Sequence, residues 1–199
     1  MLCEQLPSLV DYLLICPSLD ALVLVECMAK KLNLNWDFLI QAPIISPKNP
    51  DCELGRVSET KDFIYDKKLS ESFGISDNFI YSEIDRVYEE QILPDVYKLR
   101  GGQKIATVQN YLIVDQGANV GAVAVLAAKS LFSVGALNIS YAAPVVSMDA
   151  YELLDEMLDN CYCARKIEAF LEVQNYYAQD EPLDLALLKD SKHFVLNKK

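Results

Sequence analysis

One histidine, one tryptophan and seven glycines in 199 residues make this a chain poor in several chemistry-bearing types. The single histidine, His193, lies in a polar stretch, which gives a Ser/His or Cys/His catalytic pair no support. There is no G-x-x-x-x-G-K run, which excludes a P-loop. Six cysteines lie at 3, 16, 27, 52, 161 and 163, none in C-x-x-C spacing. No zinc or dithiol redox motif is written here, so no metal ligand set is assigned, and free thiols in a reducing, cytoplasmic setting are expected. Positive charge is scarce too: 18 Lys and Arg face 29 Asp and Glu, for a formal net charge of −11. Such a balance repels nucleic acids and anionic membranes. Asp11, Pro17 and Asp20 interrupt the apolar N-terminal stretch, and no basic cluster precedes it, so neither a membrane span nor a signal peptide fits.

What is present is a large apolar fraction, 52%, enough for one sizeable core. Asp11–Cys16 reads as a buried strand. Pro17–Asp20 reads as a turn in which Ser18 or Asp20 can cap a helix over Ala21–Leu32. Trp36–Ala42 suggests the next strand, completing a parallel strand–helix–strand unit. Pro43, Pro47 and Pro50 predict a break in regular structure. Glu53–Val57 and Asp62–Tyr65, joined by a polar link, look like a hairpin outside the main sheet. Ser76 can cap a helix from about Asp77 to Leu93, with Ile80, Ile84, Val87, Tyr88 and Ile92 at helical spacing and Pro94 as a kink or stop. Arg100-Gly101-Gly102 predicts a flexible break. Further on, Ala122–Val134 (helix), Leu137–Pro144 (strand), Ser147–Leu158 (helix) and Cys161–Ala164 (strand) continue the alternation. This order predicts an α/β fold with a Rossmann-like parallel sheet and a small hood or hairpin. The chain reads as a single domain over 1–199, with residues 43–75 as the hood and 165–199 as a C-terminal extension.

The most informative stretch is Tyr111–Val123. An apolar run ends in Asp115, passes Gly117 and Gly121, and opens into an alanine-rich helix. A buried strand, a tight turn and a helix N-terminus gather backbone N–H groups and the positive end of the helix dipole at one point, where phosphates are held. The residues from Asp115 to Val123, D-Q-G-A-N-V-G-A-V, resemble the PRPP-binding loop of type I phosphoribosyltransferases, D-D-G-I-A-T-G-A-T. Asp115, Gly117, Gly121 and Ala122 match it. Other landmarks follow in order: Pro47-Lys48-Asn49-Pro50 with Glu53–Val57, then Tyr97–Gly102 ahead of the loop, then Gly135-Ala136 and Ala143-Pro144-Val145. Together they resemble a group of bacterial phosphoribosyltransferase-domain proteins.

The resemblance implies a glycosyltransferase of nucleotide metabolism. It moves ribose 5-phosphate from PRPP to a purine or pyrimidine base, with Mg2+ arriving on PRPP. Asp115 and Gln116 correspond to the two acids that hold the ribose. Gly117, Ala118, Asn119, Val120, Gly121, Ala122 and Val123 correspond to the loop around the 5′-phosphate. Ser18, Leu19 and Asp20 correspond to the pyrophosphate loop, and Arg100 to an arginine of a mobile loop that closes over a phosphate. A nucleobase and a second copy of the chain are the further partners in keeping with it. Four of the departures from the pattern change its polar chemistry. Gln116 lacks the second acid's charge, Val120 and Val123 replace threonines, and Asp20 brings a negative charge to a diphosphate site. Asp115 as a turn cap and Asp20 as a helix cap are the plain structural readings of the same residues. Two alternatives therefore stand beside transfer. One is an inactive relative that binds a nucleotide or sugar phosphate as a sensor. The other is an interaction module that keeps the fold and uses its acidic surface and the tyrosine-rich segment 170–177 (FLEVQNYY) for a protein contact.

Overall fold

The computed structural model describes residues 2–7, 9, 11–177 and 191–195. It divides into two compact units, one formed by residues 1–39 with 105–199 and one by residues 40–104.

The first unit is built on a six-stranded sheet. Its strands are β1 (Tyr12–Cys16), β2 (Asn35–Phe38), β6 (Asn110–Val114), β7 (Gly117–Ala118), β8 (Asn138–Ser147) and β9 (Asn160–Ile167). The second unit holds β3 (Gln41–Ser46), β4 (Asn49–Ser58) and β5 (Phe63–Tyr65). In the large sheet β2 lies beside β1, β1 beside β6 and β6 beside β8. Every one of its pairings is parallel. β9 pairs with β8 along residues 140–147, so β6 and β7 share the opposite side of β8, one after the other. The sheet is thus Rossmann-like, as the alternating pattern predicts. Its order reverses between β1 and β6, the place where open parallel sheets receive ligands at their C-terminal ends.

The central strands are apolar on both faces because helices cover both, as parallel sheets require. Tyr111, Leu112, Ile113 and Val114 of β6 are fully buried. Helix α6 (Ala122–Ser133) buries Ala124, Leu126, Ala127, Ala128 and Leu131, which explains why its sequence is apolar nearly all round. Gly135 ends it at φ 97°, with the Ala136 N–H bonding back to the Leu131 carbonyl, the left-handed stop that glycine favours. Helix α7 (Met148–Met157) starts on Ser147, whose hydroxyl accepts from the Ala150 N–H at 3.0 Å. After α1 (Leu2–Gln5), helix α2 (Leu22–Leu32) follows a short 3-10 turn at Leu19–Ala21, and no side chain caps the start of the turn or of α2. The expected capping by Ser18 or Asp20 is therefore absent. The 3-10 turn closes on backbone alone, through the Ala21 N–H and the Ser18 carbonyl at 3.2 Å.

Three strand boundaries differ from the sequence expectation. β2 ends at Phe38 rather than Ala42, because its partner β1 stops where Pro17 has no N–H to continue a ladder. β9 runs on to Ile167, because the ten residues of β8 offer a partner over that whole length. β8 in turn passes through Pro144 to Ser147. Pro144 falls where the β8 partner changes from β6 to β7, and no ladder bond is lost there. Beyond β2, Phe194 bridges to Trp36 and the Trp36 N–H donates to the His193 carbonyl at 2.9 Å. The two rings stack at 4.7 Å. Below them Glu26 accepts from the Trp36 indole at 2.7 Å and from the Ser191 hydroxyl at 2.6 Å. His193 therefore contributes backbone to a packed edge.

In the second unit β3, β4 and β5 form an antiparallel sheet in that order. Pro43 and Pro50 lie inside β3 and β4 and do not break them. β3 is an edge strand and the β3–β4 ladder is irregular near Ser46 and Asn49, both positions that tolerate a missing N–H. Two helices follow, α3 (Lys67–Ser72) and α4 (Asp77–Val87), the second capped by Ser76 as expected. A π-turn at Tyr88–Ile92 then leads into α5 (Leu93–Arg100), with Pro94 in its first turn. The expected kink at Pro94 is thus taken up by a wider turn just ahead of it. Gly101 and Gly102 end α5 at φ 59° and 83°.

Candidate functional site

The C-terminal ends of β1 and β6 bring two of the sequence-assigned segments together. Asp115 follows β6 directly, and its N–H bonds to the Ala142 carbonyl at 3.0 Å, which fixes it in line with the sheet. Its side chain turns inward and is 5% exposed. One carboxylate oxygen accepts from the Gln116 N–H at 2.7 Å. Burial raises the pKa of this carboxyl to about 6. The N–H groups of Gln116 and Gly117 oppose the rise, Asp20 adds to it, and the Tyr141 hydroxyl opposes it. Asp20 therefore stands close enough to Asp115 for their charges to interact. It is exposed, at the head of the 3-10 turn, with Ser18 half-buried and Leu19 exposed beside it. Between the two segments the Cys16 thiol is wholly buried and bonds to the Ser18 carbonyl at 3.1 Å. Burial, aided by Asp115, pushes its pKa well up, so it stays a neutral thiol.

After Asp115 the chain makes its turn against β8. Gly117 and Ala118 pair with Val145 and Val146. A Cβ at Gly117 would lie 2.7 Å from the Val145 carbonyl oxygen, so the close approach of the two backbones requires glycine there. Asn119 and Val120 form the exposed tip, Val120 being 72% exposed. The Ser147 hydroxyl holds the tip by bonding to the Asn119 carbonyl. Gly121 then takes a left-handed φ of 75° as the first boundary of α6, with no side-chain cap. Ala122 and Val123, both half-buried, form the first helical turn. The arrangement is a loop of backbone groups leading into the positive end of a twelve-residue helix, a geometry suited to an anion.

The fold is similar to that of TT1426 from Thermus thermophilus. The likeness has a TM-score of 0.68 at 21% identity, over 98% of this chain and 93% of that one. A hypothetical protein from Neisseria gonorrhoeae with bound ppGpp is more distant, with a TM-score of 0.44 at 12% identity, over 85% of this chain and 76% of that one. No protein-family model and no curated protein matches the chain. The likeness to TT1426 supports the fold alone.

Arg100 differs from its sequence expectation. It is no exposed arginine on a mobile loop. Its side chain is 1% exposed and pairs with Glu59 inside the second unit, where Glu59 is 4% exposed. Glu59 also accepts from the Ile40 N–H at 2.9 Å. The polar link at 58–61 thus hides a buried acid, which neutralises the guanidinium from within its own unit. A lone Glu in a turn sequence carries no signal of that pairing.

Sequence reasoning also missed Tyr177. Its hydroxyl donates to the Gln116 carbonyl at 2.5 Å, while Val173 of the same segment packs on Gly117. Burial, with Asp115 nearby, raises the Tyr177 pKa to about 12. The tyrosine-rich composition of 170–177 marked the segment as unusual, but nothing in its spacing says that it folds back on the loop after β6. Residues 178–190 and 196–199 of the C-terminal extension lie outside the described residues.

Proposed function

We propose that the chain is a phosphoribosyltransferase-like protein that takes PRPP, or another phosphorylated ribose, at the C-terminal edge of the sheet between β1 and β6. One observation carries this reading: a buried carboxyl, a loop of backbone groups and a helix N-terminus with no side-chain cap lie within nine residues, Asp115–Val123, at the point where strand order reverses. Asp115 and Gln116 bind ribose hydroxyls. The backbone of Gly117–Ala122 cradles the 5′-phosphate, and the dipole of α6 supplies positive potential. Asp115 and Asp20, whose charges interact, form a carboxylate pair at this edge, and Asp37, also close to Cys16, is buried with its oxygens accepting from the Phe38 and Ala106 N–H groups. That donor pair suits Mg2+ already coordinated by a diphosphate better than a resident metal, and such a cation offsets the repulsion between Asp20 and the diphosphate.

A second reading, binding without transfer, draws on a specific observation: Asp20 is exposed at the first loop, where a diphosphate leaving group needs positive charge. Calorimetric titration with PRPP, with and without Mg2+, tests both. Mg2+-dependent binding supports a working donor site, and nucleotide formation in a screen of purines and pyrimidines then separates transfer from binding alone. No binding at millimolar PRPP overturns both.

A further inference from the structure

The carboxyl assigned to the ribose is almost completely shielded, so a ligand cannot reach it unless something moves. The segment Phe170–Tyr177 is the element to consider. It contains one short 3-10 turn, Val173–Tyr176, and no strand. It holds its own shape: the Phe170 and Tyr176 rings lie 5.0 Å apart, and the Leu171 N–H donates to the Tyr176 hydroxyl at 3.1 Å. Two contacts bind it to the turn after β6. The Tyr177 hydroxyl donates to the Gln116 carbonyl. Val173 Cγ1 lies 3.2 Å from where a Cβ at Gly117 would be, so its methyl sits directly against that backbone. By contrast, the turn itself is held by ladder pairing to β8 and by the Ser147 hydroxyl. The segment is therefore the weaker partner across this contact.

We propose that Phe170–Tyr177 is a strap fastened over the Asp115–Gly117 turn, which competes with a phosphorylated ribose and must lift before that ligand binds. The proposal rests on the functional reading above for the ligand but not for the strap. Tyr177 is its fastening: one hydroxyl bond to a backbone carbonyl, at the ligand-facing turn. Because the competing contact is intramolecular, the full chain binds ligand more weakly than the same site would with its strap released.

Tyr177→Phe in the full chain is the test, since it removes the hydroxyl and keeps the ring. Hydrogen–deuterium exchange without ligand is the first readout. The Gln116 and Gly117 amides and the segment 170–177 are expected to exchange faster in the variant, while the amides of β6 and α6 stay protected. Unchanged exchange at Gln116 and Gly117 overturns the strap, whatever the ligand does. The second readout is titration with PRPP and Mg2+. The variant is expected to bind about 2–10-fold more tightly, the worth of one neutral hydrogen bond, and PRPP is expected to speed exchange across 170–177 in the native chain. Equal or weaker binding by the variant, or PRPP-induced protection of 170–177, overturns the competition. Faster exchange in the variant with no PRPP binding by either protein leaves the strap standing and removes the phosphoribosyl reading instead.

Discussion

Replacing Asp115 by asparagine changes how stability depends on pH, by an amount set by the burial of one carboxyl. Burial, with a further push from Asp20, takes its pKa from 3.8 to about 6 in the folded chain. Unfolded, the carboxyl ionises near its ordinary value. Between about pH 4 and pH 6 the native state therefore holds a proton that the unfolded state has released, and stability falls as pH rises through that window. The contribution is fully favourable below about pH 3 and fully lost above about pH 7. The gap from 3.8 to about 6, at about 1.36 kcal/mol per pH unit, makes the total about 3 kcal/mol. Asparagine keeps the shape and one acceptor oxygen but does not titrate. The stability of the native chain minus that of Asp115→Asn should thus fall by about 3 kcal/mol from pH 3 to pH 7 and then level off. Urea unfolding followed by the fluorescence of Trp36 is the assay. Trp36 is the only tryptophan, and it belongs to the same unit as Asp115. Other shifted carboxyls cancel in the difference, such as Glu53, whose pKa burial raises, and Glu26, where burial is outweighed by bonds to Ser191, Lys30 and Trp36 that lower it. A difference curve flat to within about 0.5 kcal/mol from pH 4 to pH 8 would refute the reasoning.

Other expectations are as direct. Gly117→Ala places a Cβ 2.7 Å from the Val145 carbonyl oxygen and should cost about 1–3 kcal/mol, lowering Tm by roughly 2–12 °C for a chain of this size; an unchanged Tm would mean that β7 separates from β8 at no cost. Arg100→Ala strands the buried Glu59 carboxylate and should cost about 3–5 kcal/mol, read by far-UV circular dichroism, whereas Arg100→Met with Glu59→Gln should recover most of that loss. Ser191→Ala removes a donor to buried Glu26 and should cost about 1–3 kcal/mol, with a shift in Trp36 emission. Gln116→Asp with Val120→Thr and Val123→Thr should tighten PRPP binding by about 10²-fold or more; calorimetry showing no gain would mean that the restored hydroxyls do not reach a phosphate.

The parallel core was legible because apolar runs such as Tyr111–Val114 carry their own signal: four consecutive buried side chains are needed only where both faces of a sheet are covered. Ser76 marked its helix start correctly because capping is local chemistry. The prolines misled in two places. Whether a missing N–H breaks a strand depends on which neighbour it would have bonded, and Pro43, on an edge, has none to lose. The candidate site was legible where it follows the chain, from Asp115 to Val123. Glu59 with Arg100, and Tyr177 with Gln116, join residues 41 and 61 positions apart, and no spacing rule reaches that far.

The pairing of Trp36 with residues 191–194 also bears on how the protein is made. Trp36 and Ser191 lie 155 positions apart. At about 5–20 residues per second of synthesis, the outer edge of β2 waits roughly 8–30 s for its cover. For that interval the nascent chain displays an indole, the Phe38 ring and the Trp36 amide that residues 193 and 194 cover in the finished fold. Edges of this kind recruit other strands until they are covered. Slower codons between β2 and residue 191 would lengthen that exposure, and aggregation during synthesis would rise with it.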